Sequence, residues 1–212
     1  MSFQYLTNIP LREAVADYIL TLGVNGLKPQ AENIAVREAL NRRSAKAVYA
    51  QICAPHYHAC AMDGIALLAS LTYGATGTTP VYLRNDQFIH VDTGDPLPQG
   101  CDAVVMIEDV IEVKTGVRLN EAAVPWQHIR QIGEDICAGE MILPSFTDIT
   151  PSAMGAMLAG GVLNLDVLKK PLVGIIPTGD EIVPPTSSPK EGDIIEFNST
   201  IFSAMLEEWG AA

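Results

Sequence analysis

The sequence predicts an α+β chain of more than one unit, and three stretches carry that reading. Residues 10–22 place apolar side chains at helical spacing. From about 51 to 134 short apolar runs alternate with turn residues at fairly regular intervals, the signature of a small, mostly antiparallel β unit. Beyond residue 169 a continuous apolar run, Leu172–Ile176, enters a polar loop and then a final helix, as at the start of an α/β layer.

In the first helix Leu11, Ala14, Val15, Tyr18, Ile19 and Leu22 share a face and Gly23 supplies the stop. A linker follows, then a short helix around Val36–Asn41 and an extended stretch through Val48. The β region is read from the runs Ile65–Leu68, Val81–Leu83, Phe88–Val91, Ala103–Ile107 and Val110–Val113. Residues 150–160 return to helix: Thr150 suits the N-cap, Pro151 the first helical position, and Gly160-Gly161 the end. Met154, Met157 and Leu158 form its buried stripe, and at this spacing core packing is a better reading than a soft-metal site. The last helix is expected to be capped by Asn198, to line one face with Ile201, Phe202, Met205, Leu206 and Trp209, and to close at Gly210. One buried strand and one helix do not make a parallel sheet, so this unit is expected to be incomplete within the 212 residues.

Composition excludes several functions. A net charge of −12 repels phosphate backbones, and Arg42-Arg43 and Lys169-Lys170 are isolated pairs, so nucleic acid is not an expected partner. The four cysteines, Cys53, Cys60, Cys101 and Cys137, form no C-x-x-C pair and suggest neither a zinc site nor a disulfide framework. No signal peptide and no membrane-spanning stretch is read, which makes the cytoplasm the default compartment.

Three segments combine glycine, acid and hydroxyl between apolar runs. In Ala59-Cys60-Ala61-Met62-Asp63-Gly64 small residues allow close backbone approach and Asp63 is a hard oxygen ligand, although an ordinary Asp-Gly turn is the plainer reading. In Asp92-Thr93-Gly94-Asp95 a hydroxyl, backbone amides taken as free, and two acids could cradle an oxyanion or hydrated metal, although a proline-braced turn between two strands is the plainer reading. Thr178-Gly179-Asp180-Glu181 follows the buried run, where open α/β sheets place ligands. His56 and His58 are a conceivable two-histidine metal site, with a packed pair the simpler reading.

Together these segments resemble the molybdopterin molybdenumtransferase family, known as MoeA in bacteria and as the gephyrin E domain in animals. The pieces stand in family order: Ala61-Met62-Asp63-Gly64, Thr93-Gly94 through Leu97-Pro98-x-Gly100, Asp102–Met106 with Glu108, Ile129-Arg130 with Gly133–Ile136 and Gly139, then Thr178–Glu181 and Asn198. The resemblance implies a discontinuous linker and dimerisation domain over 28–47 and 135–168, an inserted β domain over 48–134, and an incomplete three-layer α/β domain from 1–27 and 169–212. It implies an enzyme that inserts molybdate into adenylylated molybdopterin with Mg²⁺ and releases AMP. It also implies a homodimer whose active site lies between the β domain of one subunit and the α/β domain of its partner, with a molybdopterin adenylyltransferase as a further partner. Asp63, Thr93, Asp135 and Glu181 match cleft positions, Gly64, Gly94, Thr178, Gly179 and Asp180 the ligand-binding ones, and Asp180 and Glu181 would hold the metal.

Departures from the family pattern are also present. His58-Ala59-Cys60 stands where Asp-Asn-Ser is usual, and Glu196-Phe197 where an Asp and a small residue are common. The family's Gly-rich, Ser-containing pterin-binding loop and its C-terminal β domain have no counterpart in these residues, so this chain alone is expected to be inactive. A non-catalytic dimeric scaffold of the same fold, and a general divalent-metal or oxyanion binder, are the competing readings.

Overall fold

The computed structural model describes residues 8–24, 26, 28–186 and 188–212. Three helices, α1 (Leu11–Val24), α2 (Pro151–Ala159) and α3 (Asn198–Glu208), accompany fourteen short strands among those residues. The strands are β1 (Ala31–Ala35), β2 (Val48–Tyr49), β3 (Ala59–Cys60), β4 (Gly64–Leu67), β5 (Val81–Arg84), β6 (Phe88–Val91) and β7 (Ala103–Met106). They continue with β8 (Val110–Val113), β9 (Gly116–Leu119), β10 (Ile129–Arg130), β11 (Met141–Leu143), β12 (Asn164–Leu168), β13 (Ile182–Val183) and β14 (Ile194–Ile195).

Two three-stranded antiparallel sheets, β6-β4-β7 and β5-β9-β8, form the heart of the β region. Ile65, Leu67, Leu83, Phe88, Val105, Val117 and Leu119 pack into one core there, and Cys60, Ala66, Val91, Val104 and Ile129 into a second, smaller one. The central strand β4 is buried along its whole length, so both of its faces meet apolar neighbours. A separate core takes Val36, Ala39 and Val48 from one stretch of sequence and Leu143, Ile149, Met157, Leu165 and Val167 from another. The pairing of β1 with β12, Ala31 against Leu168, closes this second region across most of the chain. Its buried Ser44 is satisfied twice, donating to the Pro144 carbonyl at 2.7 Å and accepting from Thr147 N–H at 3.0 Å.

The helix at Thr150 forms as its sequence predicts. Thr150 Oγ1 accepts from Ala153 N–H at 3.2 Å, Pro151 opens the helix, and Met157 is fully buried. Leu158, expected in the buried stripe, is 37% exposed; Ala153 and Met154 pack inward with Met157 instead.

Other expectations are corrected. Leu172–Ile176 forms no strand, and Leu172 and Ile176 are 89% and 83% exposed. A buried strand needs flanking strands to take its hydrogen bonds, and Gly174 at its centre gives no side chain to pack. The parallel pair found in this part of the chain is β13 with β14, two residues each. The first helix runs through Gly23 to Val24, and the left-handed residue beyond it is Gly26, φ +79°. The helix expected at Val36–Asn41 is a single 3₁₀ turn, Val36–Glu38, since Val36 and Ala39 are both drawn into the core and Asn41 turns to φ +60°. At α3 the N-cap position is Phe197, which makes no side-chain cap bond; Glu196, one residue before it, accepts from Ser199 N–H through Oε1 at 2.8 Å, and Asn198 is already helical. The apolar faces of α1 and α3 contain no buried residue. None of the described helices is long and apolar enough to cross a membrane.

Candidate functional site

β4 and β6 run antiparallel with Gly64 opposite Val91, so the start of one and the end of the other emerge at the same edge of the sheet. Asp63 precedes β4 and Thr93 follows β6. Thr93 donates both its backbone N–H and its hydroxyl to Asp63 Oδ1, each at 2.7 Å. Asp63 is tied from behind as well, its carbonyl accepting from Ile107 N–H at 3.0 Å. Gly64 is required here: a Cβ would stand 2.0 Å from the Val105 carbonyl oxygen on β7. Gly94 turns the second loop at φ +94°, with its N–H on the Cys60 carbonyl at 2.9 Å and its own carbonyl accepting from the Tyr57 hydroxyl at 2.9 Å. Asp95 closes the loop through Asp92 N–H, accepted at 2.9 Å.

The two Thr93 bonds, the side-chain one first, hold the Asp63 carboxyl below its ordinary value of 3.8, so it is ionised at neutral pH. Both bonds fall on Oδ1, and Oδ2 has no hydrogen-bond partner among the described residues. An exposed carboxylate oxygen held in this way accepts from donor groups or joins the coordination of a hydrated cation.

The oxyanion cradle weighed for Gly94 is not formed, and the loop is the turn that was the plainer reading. The N–H groups of Thr93, Gly94 and Asp95 are spent on Asp63, Cys60 and Asp92, and the one hydroxyl proton of Thr93 is spent on Asp63. Loop closure uses the donors that an anion would need.

Asp135 is held elsewhere in the same region. Arg130 on β10 reaches its carboxylate through Nη2, 2.6 Å from Oδ1, and reaches Glu134 through Nε at 3.4 Å. β10 pairs with β3, setting Arg130 opposite Ala59. No hydrogen bond joins Asp135 to Asp63 or Thr93 among the described residues; its carboxylate is matched by a guanidinium and braces a turn. The histidines pack: His58 Nδ1 accepts from Ile132 N–H at 3.2 Å, with its ring 4.9 Å from that of Trp126, and His56 stacks edge-on to Tyr57. No group of three metal-ligating side chains gathers among the described residues.

Thr178–Glu181 is exposed and turns on itself. Gly179 takes φ +149°, and the Glu181 carboxylate oxygens lie 2.9 and 3.0 Å from where its Cβ would be. Ile194 N–H donates to the Glu181 carbonyl at 2.8 Å, which fixes the backbone and leaves the Asp180 and Glu181 carboxylates at the surface. Hydrogen bonds and strand pairing thus bring Asp63, Gly64, Thr93 and Gly94 together, and no hydrogen bond links Asp135 or Thr178–Glu181 to them among the described residues. A cleft of about 810 Å³ between Arg42-Arg43, Lys169-Lys170 and the end of α3 contains none of these residues. Arg43 is paired with Asp148 and Arg42 with Glu32, and Glu207 and Glu208 also line the cleft, so its charge is mixed.

Residues 9–161 match the profile of the MoeA N-terminal region, domains I and II. The chain belongs to the MoeA family. It is 34% identical over 181 residues to molybdopterin molybdenumtransferase 2 of Mycobacterium tuberculosis, covering 78% of this chain and 45% of that protein. Molybdopterin molybdenumtransferase of Haemophilus influenzae is 30% identical over 191 residues, covering 84% and 47% respectively. The crystal structure of the molybdopterin biosynthesis MoeA protein from Pyrococcus horikoshii OT3 superposes with a TM-score of 0.78 at 30% identity, over 86% of this chain and 53% of that one. The chain therefore spans about half the length of the relatives it matches.

Within the MoeA region the structure brings in Tyr57, to which the sequence gave no role, and gives Asp95 and Arg130 loop-bracing roles that the sequence did not show. Tyr57, Asp95 and Arg130 fix the loops on which Gly94, Thr93 and Asp135 sit. Arg130 was signalled by its position five residues before Asp135; nothing in the sequence marks Tyr57 as a partner of Gly94.

Proposed function

We propose that this chain serves molybdenum cofactor biosynthesis as part of a molybdopterin molybdenumtransferase, which inserts molybdate into adenylylated molybdopterin and releases AMP. The observation that supports this most is the ionised Asp63, pinned by Thr93 at one edge of the β6-β4-β7 sheet, inside the stretch that matches the MoeA profile. Asp63 accepts hydrogen bonds from ligand donors or from the water shell of a cation, with Thr93 as its positioning partner. Gly94, with open space where a Cβ would stand, keeps a side chain off the ligand's approach, and Gly64 lets the strand behind Asp63 lie close against β7. Asp135 acts through Arg130, holding the turn behind β3.

Asp180 and Glu181, with Thr178 and Gly179 beside them, are the residues that would hold Mg²⁺. Two exposed carboxylates on one turn fit the usual Mg²⁺ set of one or two carboxylates completed by substrate phosphate and water. When bound, the cation neutralises charge on the phosphate that leaves with AMP. A homodimer, in which residues 48–134 of one subunit face residues 169–212 of its partner, would bring Asp63 and Glu181 to one ligand, and the two loops are not joined within one chain. On this reading residues 28–47 and 135–168 form the linker and dimerisation domain, and 1–27 and 169–212 belong to the α/β domain. A molybdopterin adenylyltransferase would hand over the substrate, and the setting would be the cytoplasm.

The test is growth of cells that lack the molybdenum insertase and depend on a molybdoenzyme. The gene extended past Ala212 is expected to rescue them and the 212 residues alone to fail. Asp63→Ala in the extended gene should lower molybdoenzyme activity by about 10²-fold. Failure of the extended gene to rescue would sink this reading in favour of a non-catalytic scaffold.

A further inference from the structure

The two crossings between the Val48–Leu143 core and the β region are antiparallel. Tyr49 pairs with Met141 in the β2–β11 ladder, and Ala54 pairs with Ile136 in an isolated bridge further along. Both pairs share one register, although a turn interrupts the ladder between them, with Glu140 N–H on the Cys137 carbonyl at 3.0 Å and Gly139 N–H on the Ala50 carbonyl at 2.8 Å. Carried one residue on from the Ala54–Ile136 bridge, before that turn, the register sets Cys53 opposite Cys137.

Ala54 and Ile136 exchange both of their N–H···O bonds, at 2.8 and 3.0 Å. The next pair along, Cys53 with Cys137, is therefore a non-hydrogen-bonded pair, the closer kind, with an expected Cα separation of about 4.5 Å. That separation lies within the range disulfides span. The thiols also sit on one side: Cys137 Sγ and Cys53 Sγ are 3.0 and 3.6 Å from the point where a Cβ on Gly133 would stand. Ala138 N–H holds Cys53 Sγ at 3.3 Å, and Cys137 Sγ lies 3.4 Å from the Gly133 carbonyl. Cys137 is exposed and Cys53 half-buried.

We propose that Cys53 and Cys137 form a reversible dithiol–disulfide pair that staples the two crossings. The oxidant is a small peroxide, which reaches the exposed thiol. Cys137 gives up two electrons and becomes a sulfenic acid, releasing one water. The Cys53 sulfur then attacks the Cys137 sulfur, the S–O bond breaks, and a second water leaves. The net change is two thiols and one hydrogen peroxide to one disulfide and two waters. A small-molecule thiol reverses it by exchange. The staple lies two residues from Asp135, whose N–H donates to the Ala54 carbonyl, so oxidation fixes the turn that carries the Arg130–Asp135 pair. This inference does not depend on the proposed enzymatic activity.

The full chain would be treated with hydrogen peroxide, its remaining thiols alkylated, and its unreduced peptides analysed by mass spectrometry. The expected product is a Cys53–Cys137 peptide pair lighter by two hydrogens, with Cys60 and Cys101 alkylated. The thermal midpoint should rise by roughly 5–10 °C on oxidation and fall back with dithiothreitol. Neither change should occur in Cys53→Ser or Cys137→Ser. A Cys137 that only gains oxygen, or a disulfide that joins two chains or uses Cys60 or Cys101, would overturn the proposal. If either serine variant does not fold, the peptide analysis of the unaltered chain still decides.

Discussion

Asp63 accepts two bonds from Thr93 at the edge of a three-stranded sheet, whereas the carboxylates of Asp180 and Glu181 stand on a loop fed by strands of two residues. Both sites combine glycine, hydroxyl and acid. What differs is the support. β4, which presents Asp63, is buried throughout, with Ile65, Ala66 and Leu67 all closed to solvent. β14, beside the 178–181 loop, has Ile194 52% exposed, and Ala211 is the one buried hydrophobic residue beyond 169 among those described. A polar loop inherits its precision from the apolar surface buried under it.

Gly64→Ala should break the contrast most strongly. Its Cβ would collide with the backbone oxygen of Val105, and neither strand can yield without the other. The expected loss is about 3 kcal/mol in chemical denaturation, with Thr93 losing its amide protection. Leu67→Ala, which empties a fully buried site, should cost about 3 kcal/mol, while Ile194→Ala on the open side should cost under about 0.5 kcal/mol. Equal losses for the two would show that the regions are equally packed. Thr72→Ala is expected to cost about 2 kcal/mol by leaving the buried Ala123 N–H without its 2.8 Å acceptor.

The smallest effect is electrostatic. Asp63 titrates below 3.8 in the folded chain, so the stabilisation from its Thr93 bonds is present above that ordinary value and is lost as pH falls through the lowered one. Carboxyl NMR should show Asp63 still ionised at pH 4, and Thr93→Ala should return its titration toward 3.8. An unchanged midpoint in that variant would remove Thr93 as the cause.

Much of the β region was legible because its code is local. The runs at Phe88–Val91 and Val110–Val113 match their strands residue for residue, and Thr150-Pro151 started its helix where the cap chemistry said. Longer-range structure was not legible. β1 and β12 became strands through each other; Ala31–Ala35 does not alternate, whereas Asn164–Leu168 does, polar residues at 164 and 166 against buried Leu165 and Val167, and sequence reasoning missed that signal. Leu172–Ile176 failed for the converse reason: it reads as a strand but has no ladder to join. Asp63 and Thr93 were visible as residue types, and the resemblance brought them together. That the amides near Gly94 would be used up in closing the loop could be known only from the partners they found.

The pairing of Ala31 with Leu168 also has a history in time. A ribosome adding about 5–20 residues per second exposes β1 roughly 10 s before β12 is complete. Through that interval the inner β sheets, whose partners lie closer in sequence, can assemble and shorten the chain that separates the two ends. The clasp is then a late step in the folding of this region, and until it closes β1 is a bare edge that other chains could reach.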